Sequence, residues 1–243
     1  MLPTRMLSTK MLSTNVSDPL DNPIWHALTG PHASIARGTE QALRYPPDVS
    51  SFFGVPDPLN VGIAAVQQIA EPNDIAVIMS TGTVRTPNSF EVVFEGLFDQ
   101  MVYDRHVAPI GEFDTVTLAD DDIDDMLELV KITDPGPFMA RTHTLGGYIG
   151  VRDAGVLVAM AGKRLHLADA TEISDVCTHP TARGSGYAAG LVSRLAADIT
   201  ADGRRAFLHV SVHNSGARSV YERVGFTHRT RITIQVFRIQ SAS

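Results

Sequence analysis

Apolar and polar residues follow two textures along this 243-residue chain. Residues 18–58 are interrupted by Pro and Gly (among them Pro19, Pro23, Gly30, Pro31, Pro46, Pro47 and Gly54), and short helical pieces are predicted at 25–28 and 33–43. Val61, Ala64, Ala65, Gln68 and Ile69 then fall at helical spacing until Pro72 stops the run. Residues 75–79 read as a buried strand, and 91–94 and 100–103 as two more. A second unit starts near Phe113. Residues 115–118 read as a strand, and Ile123, Met126, Leu127 and Val130 make one apolar helix face. After the Pro135-Gly136-Pro137 break, residues 147–152 and 156–162 predict a hairpin turning at Asp153-Ala154-Gly155. A strand at 170–178, a helix at 188–201 and a strand at 206–212 follow. A short helix at 214–224 closes on Gly225, and residues 231–239 alternate as a last strand. The fold class is therefore α/β, of the α+β kind, with units at 18–112 and 113–243. The first fifteen residues write a five-residue, Ser/Thr-rich unit three times, and residues 1–17 are expected to be a disordered tail.

Composition narrows the class. Apolar residues make up 44% and charged residues 19%, which suits a packed core and not general disorder. Cys177 is the only cysteine, so there is no intrachain disulfide and no cysteine zinc cluster. No apolar run approaches the ~18 residues of a membrane span. A soluble, cytoplasmic protein that engages no membrane is expected. Net charge is −7 but uneven: residues 176–243 hold 9 Arg against 3 acids, a +6 segment after a body at −13. Overall acidity argues against nucleic acid, whose binding needs a basic footprint that releases counterions. The basic last quarter suits a small polyanion, or a solvated surface. Asp120, Asp121, Asp122, Asp124 and Asp125 resemble a metal site, yet a helix dipole favours carboxylates at its start. His209 and His213 straddle a strand end, so no metal is expected there either.

Chemistry concentrates in residues 171–188, where a strand ends at Pro180, a glycine-bearing loop follows and a helix begins at once. Amides in such a loop lack intrahelical partners, and with the helix dipole they cradle an anion. Gly184 and Gly186 let the backbone approach a ligand closely, and a pyrophosphate is the natural guest. Residues 184–189 also fit a loose G-x-G-x-x-A dinucleotide fingerprint, but the next strand ends at His213 without the required acid. No P-loop and no G-x-S-x-G elbow occurs.

The better match is R-x-x-G-x-A, carried by Arg183, Gly186 and Ala188, followed by N-x-x-A-x-x-x-Y-E-x-x-G-F at Asn214, Ala217, Tyr221, Glu222, Gly225 and Phe226. Here the chain resembles the GNAT superfamily of acetyl-CoA-dependent N-acetyltransferases, closely over 145–228 and more loosely from 113 onward. Within it, the chain looks most like bacterial members related to glycine N-acyltransferase-like proteins. The resemblance implies a GNAT fold, a mixed, mostly antiparallel twisted sheet flanked by helices. Residues 113–243 would be the acetyltransferase domain, and a degenerate half-GNAT unit is one reading of residues 18–112.

The resemblance also implies acetyl-CoA as co-substrate, lying where the strands ending at Thr178 and Val212 splay apart. Pantetheine would pair along Val176, Cys177 and Thr178, and the pyrophosphate would rest on Arg183, Gly184, Ser185, Gly186, Tyr187 and Ala188, with Asn214 nearby. Tyr221 matches the family's general acid, though it also reads as a core aromatic. Glu172 stands where many members carry a strand glutamate that serves as base. It also reads as an ordinary ion-paired carboxylate, and by period two it shares a face with Ser174, Val176 and Thr178, with Asp175 opposite. Cys177 reads as a small buried residue rather than a nucleophile. The acceptor would be a small-molecule or peptide amine, lined by residues 123–132 and 138–145, and the protein a monomer or homodimer. A non-catalytic acyl-CoA-binding or regulatory module on the same fold is the alternative.

Overall fold

Strand pairing, more than helix packing, organises the chain. The computed structural model describes residues 18–105 and 107–240; the tail expected at residues 1–17 lies outside them. The first stretch forms α1 (Pro23–Leu28) and three two-residue strands, β1 (Arg37–Gly38), β2 (Leu43–Arg44) and β3 (Phe53–Gly54), paired in that order. Two longer strands follow, β4 (Ile75–Ser80) and β5 (Phe90–Tyr103). The rest comprises β6 (Val116–Leu118), α2 (Ile123–Thr133), β7 (Tyr148–Asp153), β8 (Val156–His166), β9 (Ala170–Thr178), α3 (Tyr187–Ala201), β10 (Arg205–Ser211), α4 (Ser215–Val224) and β11 (Phe226–Ile239).

One eight-stranded sheet runs in the order β4-β11-β5-β10-β9-β8-β7-β6. Its neighbours are antiparallel except β9 and β10, which run parallel. α3 and α4 cover one face through Leu191, Val192, Leu195 and Val224, packed with Met101, Ile173 and Leu208. On the opposite face α1 packs Ile24, Ala27 and Leu28 with Phe52, Val77 and Phe207, and α2 packs Met126 and Leu129 with Tyr148, Met160 and Cys177. The β7–β8 hairpin turns at Ala154 and Gly155, both at positive φ (48° and 86°), the backbone that a two-residue turn on twisted strands requires.

The sheet crosses the expected boundary at residue 112, because β5 threads between β10 and β11 while β4 closes the edge beyond β11. That interleaving accounts for the charge segregation. Arg205 pairs with Asp18 and Asp169, Arg218 with Asp99, Arg229 with Asp18 and Asp21, and Arg238 with Glu91. Much of the basic last quarter thus neutralises the acidic first half.

Three local expectations are corrected. Residues 33–43 are not helical: Gly38 sits at φ 137° and the Thr39 hydroxyl accepts from the amides of Gln41 and Ala42, a local turn that competes with helix. The run at residues 61–69 closes as a 3-10 turn, Ala64–Gln68. The two strands expected at 91–94 and 100–103 are one, β5, held through its middle by β11.

Candidate functional site

The parallel strands β9 and β10 pair only at their beginnings, through Ala170, Thr171 and Glu172. Beyond Glu172 they part, and β9 keeps only its β8 neighbour. The His179 amide donates to Val158 O at 2.8 Å, on the β8 side. Successive strand residues point their N–H groups to opposite edges. The Val176 and Thr178 amides therefore face the gap, whereas that of Cys177 faces β8. The expected contacts at Val176 and Thr178 are placed for main-chain pairing; Cys177 is not.

Past the end of β9 the loop turns into α3. Gly184 and Gly186 adopt φ 89° and 81°, and a Cβ on either would meet nothing within 4 Å. Gly186 is the N-cap of α3 without a side-chain cap. The main-chain N–H groups of residues 184–189 donate to no acceptor among the described residues. This is a concave row of bare donors at the positive end of a 15-residue helix, which suits a diphosphate. The Thr178 hydroxyl, buried in the same wall, also lacks a partner. The residues therefore fit coenzyme A at both its diphosphate and its pantetheine.

A cleft of about 1320 Å³ joins this cradle to the gap. Arg183, Gly184, Gly186, Tyr187, Ala188 and Asn214 line it, and Ser185 contributes its bare amide from just outside. Tyr187 is steadied edge-on by Phe113, with ring centroids 5.0 Å apart. Asn214 caps α4 by accepting from the Ala217 amide at 3.0 Å, which leaves its side-chain NH2 free to donate. Tyr221 lies where the gap opens, and its hydroxyl makes no hydrogen bond among the described residues. Burial, with the nearby Cys177 sulfur, pushes its phenol up to about 12, so it stays protonated. Burial likewise pushes the Cys177 thiol up to about 12, which suits the small buried residue expected and not a nucleophile.

The carboxylates depart from expectation. Asp175 stands at φ 53°, and the β8 register jumps from Gly162↔Ser174 to Met160↔Cys177, a bulge with one extra residue on β9. The extra residue inverts the parity beyond it. Glu172 therefore shares its face with Asp175 and Cys177, while Val176 turns to the α3 side. Glu172 itself is 1% exposed and lies beneath the cleft wall, held by Arg164 at 3.0 and 3.2 Å and by His209 Nδ1 at 2.8 Å. Burial would raise its pKa, but the Arg164 charge and the His209 bond outweigh that and hold it at about 2. A carboxylate so fixed is a poor proton acceptor, so the expected base is instead an anchor for Arg164 and His209.

Asp175 is among the residues lining the cleft, though its side chain is as buried as that of Glu172, each 1% exposed. It accepts a short hydrogen bond from the Tyr148 hydroxyl and stands 3.7 Å from Arg164. Burial moves its carboxyl above the usual range, with Arg164 pulling the other way. Tyr148 reaches it by crossing Gly162, its cross-strand partner, where any Cβ would lie 2.3 Å from the ring. Arg164, His209 and Tyr148 were not singled out for this role by the sequence, and only a bulge signal could have promoted Asp175. The far wall also differs from expectation. Of α2 and its surroundings only Thr133, Asp134 and the Pro135-Gly136-Pro137 turn line the cleft; β4, β5, β11 and Phe52 supply the rest.

The aspartates at the start of α2 act locally. Asp122 accepts from the Ala119 amide, and Arg152 bridges Asp122 and Asp125 at 2.6 and 2.7 Å. No group of His, Cys, Asp and Glu able to hold a metal occurs among the described residues. No helix among them is long and apolar enough to cross a membrane.

Residues 148–234 match the family described as FR47-like protein. No curated protein matches the chain. Among solved structures, a protein assigned to the GNAT acetyltransferases from Novosphingobium aromaticivorans DSM 12444 is 30% identical, with TM-score 0.83 over 93% of this chain and 100% of that one. A GCN5-related N-acetyltransferase from Kribbella flavida is 16% identical, with TM-score 0.60 over 90% and 95%. A GNAT-family acetyltransferase from Colwellia psychrerythraea is 14% identical, with TM-score 0.52 over 77% and 78%; these last two likenesses concern the fold alone. The comparisons reach the family and not the glycine N-acyltransferase-like branch within it. With the parted strands, the bulge and the bare amide row in place, the chain belongs to the GNAT family of acetyltransferases.

Proposed function

We propose that the protein is an N-acetyltransferase that moves an acetyl group from acetyl-CoA to a primary amine by direct attack in a ternary complex. The observation that carries this reading is the row of unpartnered amides at residues 184–189, opening onto the gap beside β9. Acetyl-CoA supplies an acyl carbon activated as a thioester. The Val176 amide, facing the gap, polarises the acyl carbonyl, a donor whose removal costs ~3 kcal/mol in comparable sites. An amine attacks only as the free base, so a group at the acceptor side must take its proton. Asp175 is suited to accept it, because it lines the cleft and burial makes its carboxylate a better base than an exposed one. The Tyr221 hydroxyl, protonated and unengaged, donates to the departing sulfur.

Two variants test these roles. Tyr221→Phe is expected to lower kcat by about 10²-fold or more with little change in KM for acetyl-CoA. Equal kcat values would remove the acid role. Asp175→Asn keeps the shape and the Tyr148 contact but accepts no proton. Its kcat should fall by a similar factor, and the low-pH limb of the kcat/KM profile should disappear; superimposable profiles would remove the base role. Release of free thiol in the presence of primary amines tests the activity itself. Tight coenzyme A binding with no thiol release from any amine would leave a non-catalytic acyl-CoA-binding module.

A further inference from the structure

The acceptor end of the cleft has a floor of unusual uniformity. Cross-strand partners in a sheet share a face. Met79 pairs with Ile234 and Ile234 with Gly96; Val77 pairs with Val236 and Val236 with Phe94. Phe98 follows Phe94 and Gly96 on that face, and all of these residues except Gly96 line the cleft. Gly96 has a role here: a Cβ on it would lie 2.6 Å from the Phe94 ring and 3.3 Å from that of Phe98, so the two rings lean over a notch only glycine leaves open. Phe94 is nevertheless 48% exposed, an aromatic without a covering partner at the rim of the cleft.

On the floor itself charge is confined to the inner end and is already matched; across the cleft, Asp134 is exposed beside the Pro135-Gly136-Pro137 turn. Arg164 is bound to Glu172 through two hydrogen bonds, stands 3.7 Å from Asp175 and stacks on Phe52 with its guanidinium 4.7 Å from the ring centroid. His209 is occupied by Glu172 and Gln100. The other cleft arginines, Arg183 and Arg223, stand in the loop before α3 and on α4. A carboxylate beside the reacting amine would have to displace Glu172 from Arg164. A charged group on the acceptor's body, lying along the floor, would rest on apolar side chains, where charge is poorly tolerated.

Resting on the acetyl-transfer reading above, we infer that the acceptor is a primary amine on an aromatic or branched aliphatic body, with no carboxylate next to the amine. Its nitrogen meets Asp175 and its body lies on the floor made by β4, β11 and β5.

The test compares kcat/KM with acetyl-CoA for 2-phenylethylamine, phenylalanine, glycine and spermidine. The expected result is 2-phenylethylamine ahead of each of the others by at least about tenfold. Any of them matching it overturns the inference while leaving acetyl transfer intact. Phe94→Ser, at an exposed position that tolerates change, should lower kcat/KM for 2-phenylethylamine at least about fivefold with unaltered coenzyme A affinity; an unaltered kcat/KM counts against the inference. If no amine releases thiol, the transfer reading fails, and calorimetry on the coenzyme A-saturated protein decides this one separately. Binding of 2-phenylethylamine in preference to spermidine upholds the apolar acceptor floor; absence of that preference overturns it.

Discussion

Gly186→Asp is expected to weaken coenzyme A binding by at least about 100-fold while leaving the protein folded. Gly186 is the N-cap of α3 at φ 81°, and nothing lies within 4 Å of a Cβ built there. The backbone strain of an L residue in that region is about 1–2 kcal/mol, modest for a well-packed chain. The effect on the ligand is much larger. The new carboxylate would project from the edge of the cradle, repel a diphosphate and accept from the bare amides that would otherwise hold it. Gly186→Ala separates the causes: it keeps the strain without the charge and should cost coenzyme A no more than about tenfold. Calorimetric titration gives both affinities, and thermal unfolding shows whether the fold is retained. Equal affinity for Gly186→Asp and the parent would contradict the cradle.

Arg164→Ala should produce the largest loss of stability of any change near the site, about 3–5 kcal/mol. It strips the counter-charge from Glu172 and Asp175, whose side chains are each 1% exposed. At this chain length that corresponds to a fall in melting temperature of roughly 10 °C. The two carboxyls respond to pH in opposite senses. The Glu172 pKa lies below its ordinary 4.5, at about 2, so its contribution is fully present above pH 4.5 and is lost as pH falls toward 2. That of Asp175 lies above its ordinary 3.8, so its contribution is present below 3.8 and is lost as pH rises through the folded value. Glu172→Gln should therefore be less stable than the parent at pH 7, with the gap narrowing as pH drops below 4.5. Denaturation midpoints at pH 7, 5 and 3 check this; a gap that widens in acid would contradict the anchoring role of Glu172.

Those features of the site that depend on local chemistry were legible in the sequence. Gly184 and Gly186 before a helical run announced the amide cradle, and Asn214, Tyr221 and Gly225 announced α4 with its two ends. Features that depend on distant pairing were not. The bulge at Asp175 carries no glycine, so a strict two-residue period put Glu172 on the wrong face relative to Val176. Residues 95–99 fell between two predicted strands because the rings that Gly96 accommodates, Phe94 and Phe98, share a face only when β11 pairs along the whole strand. Arg164 lay beyond the strand expected at 156–162; its importance comes from facing Glu172 across β8 and β9. The N-terminal strands gave no chemical signal at all, and none was available, since they supply an apolar wall whose meaning lies in what it faces.

The proposed mechanism depends above all on the main-chain amides of residues 184–189 holding the diphosphate of coenzyme A. Titrating isotope-labelled protein with coenzyme A while following its backbone amide resonances tests this most directly. Large, saturable shifts are expected at Gly184, Ser185, Gly186, Tyr187 and Ala188, with smaller ones at Val176 and Thr178. Saturation by coenzyme A with those signals unmoved, or no binding at millimolar ligand, would contradict it.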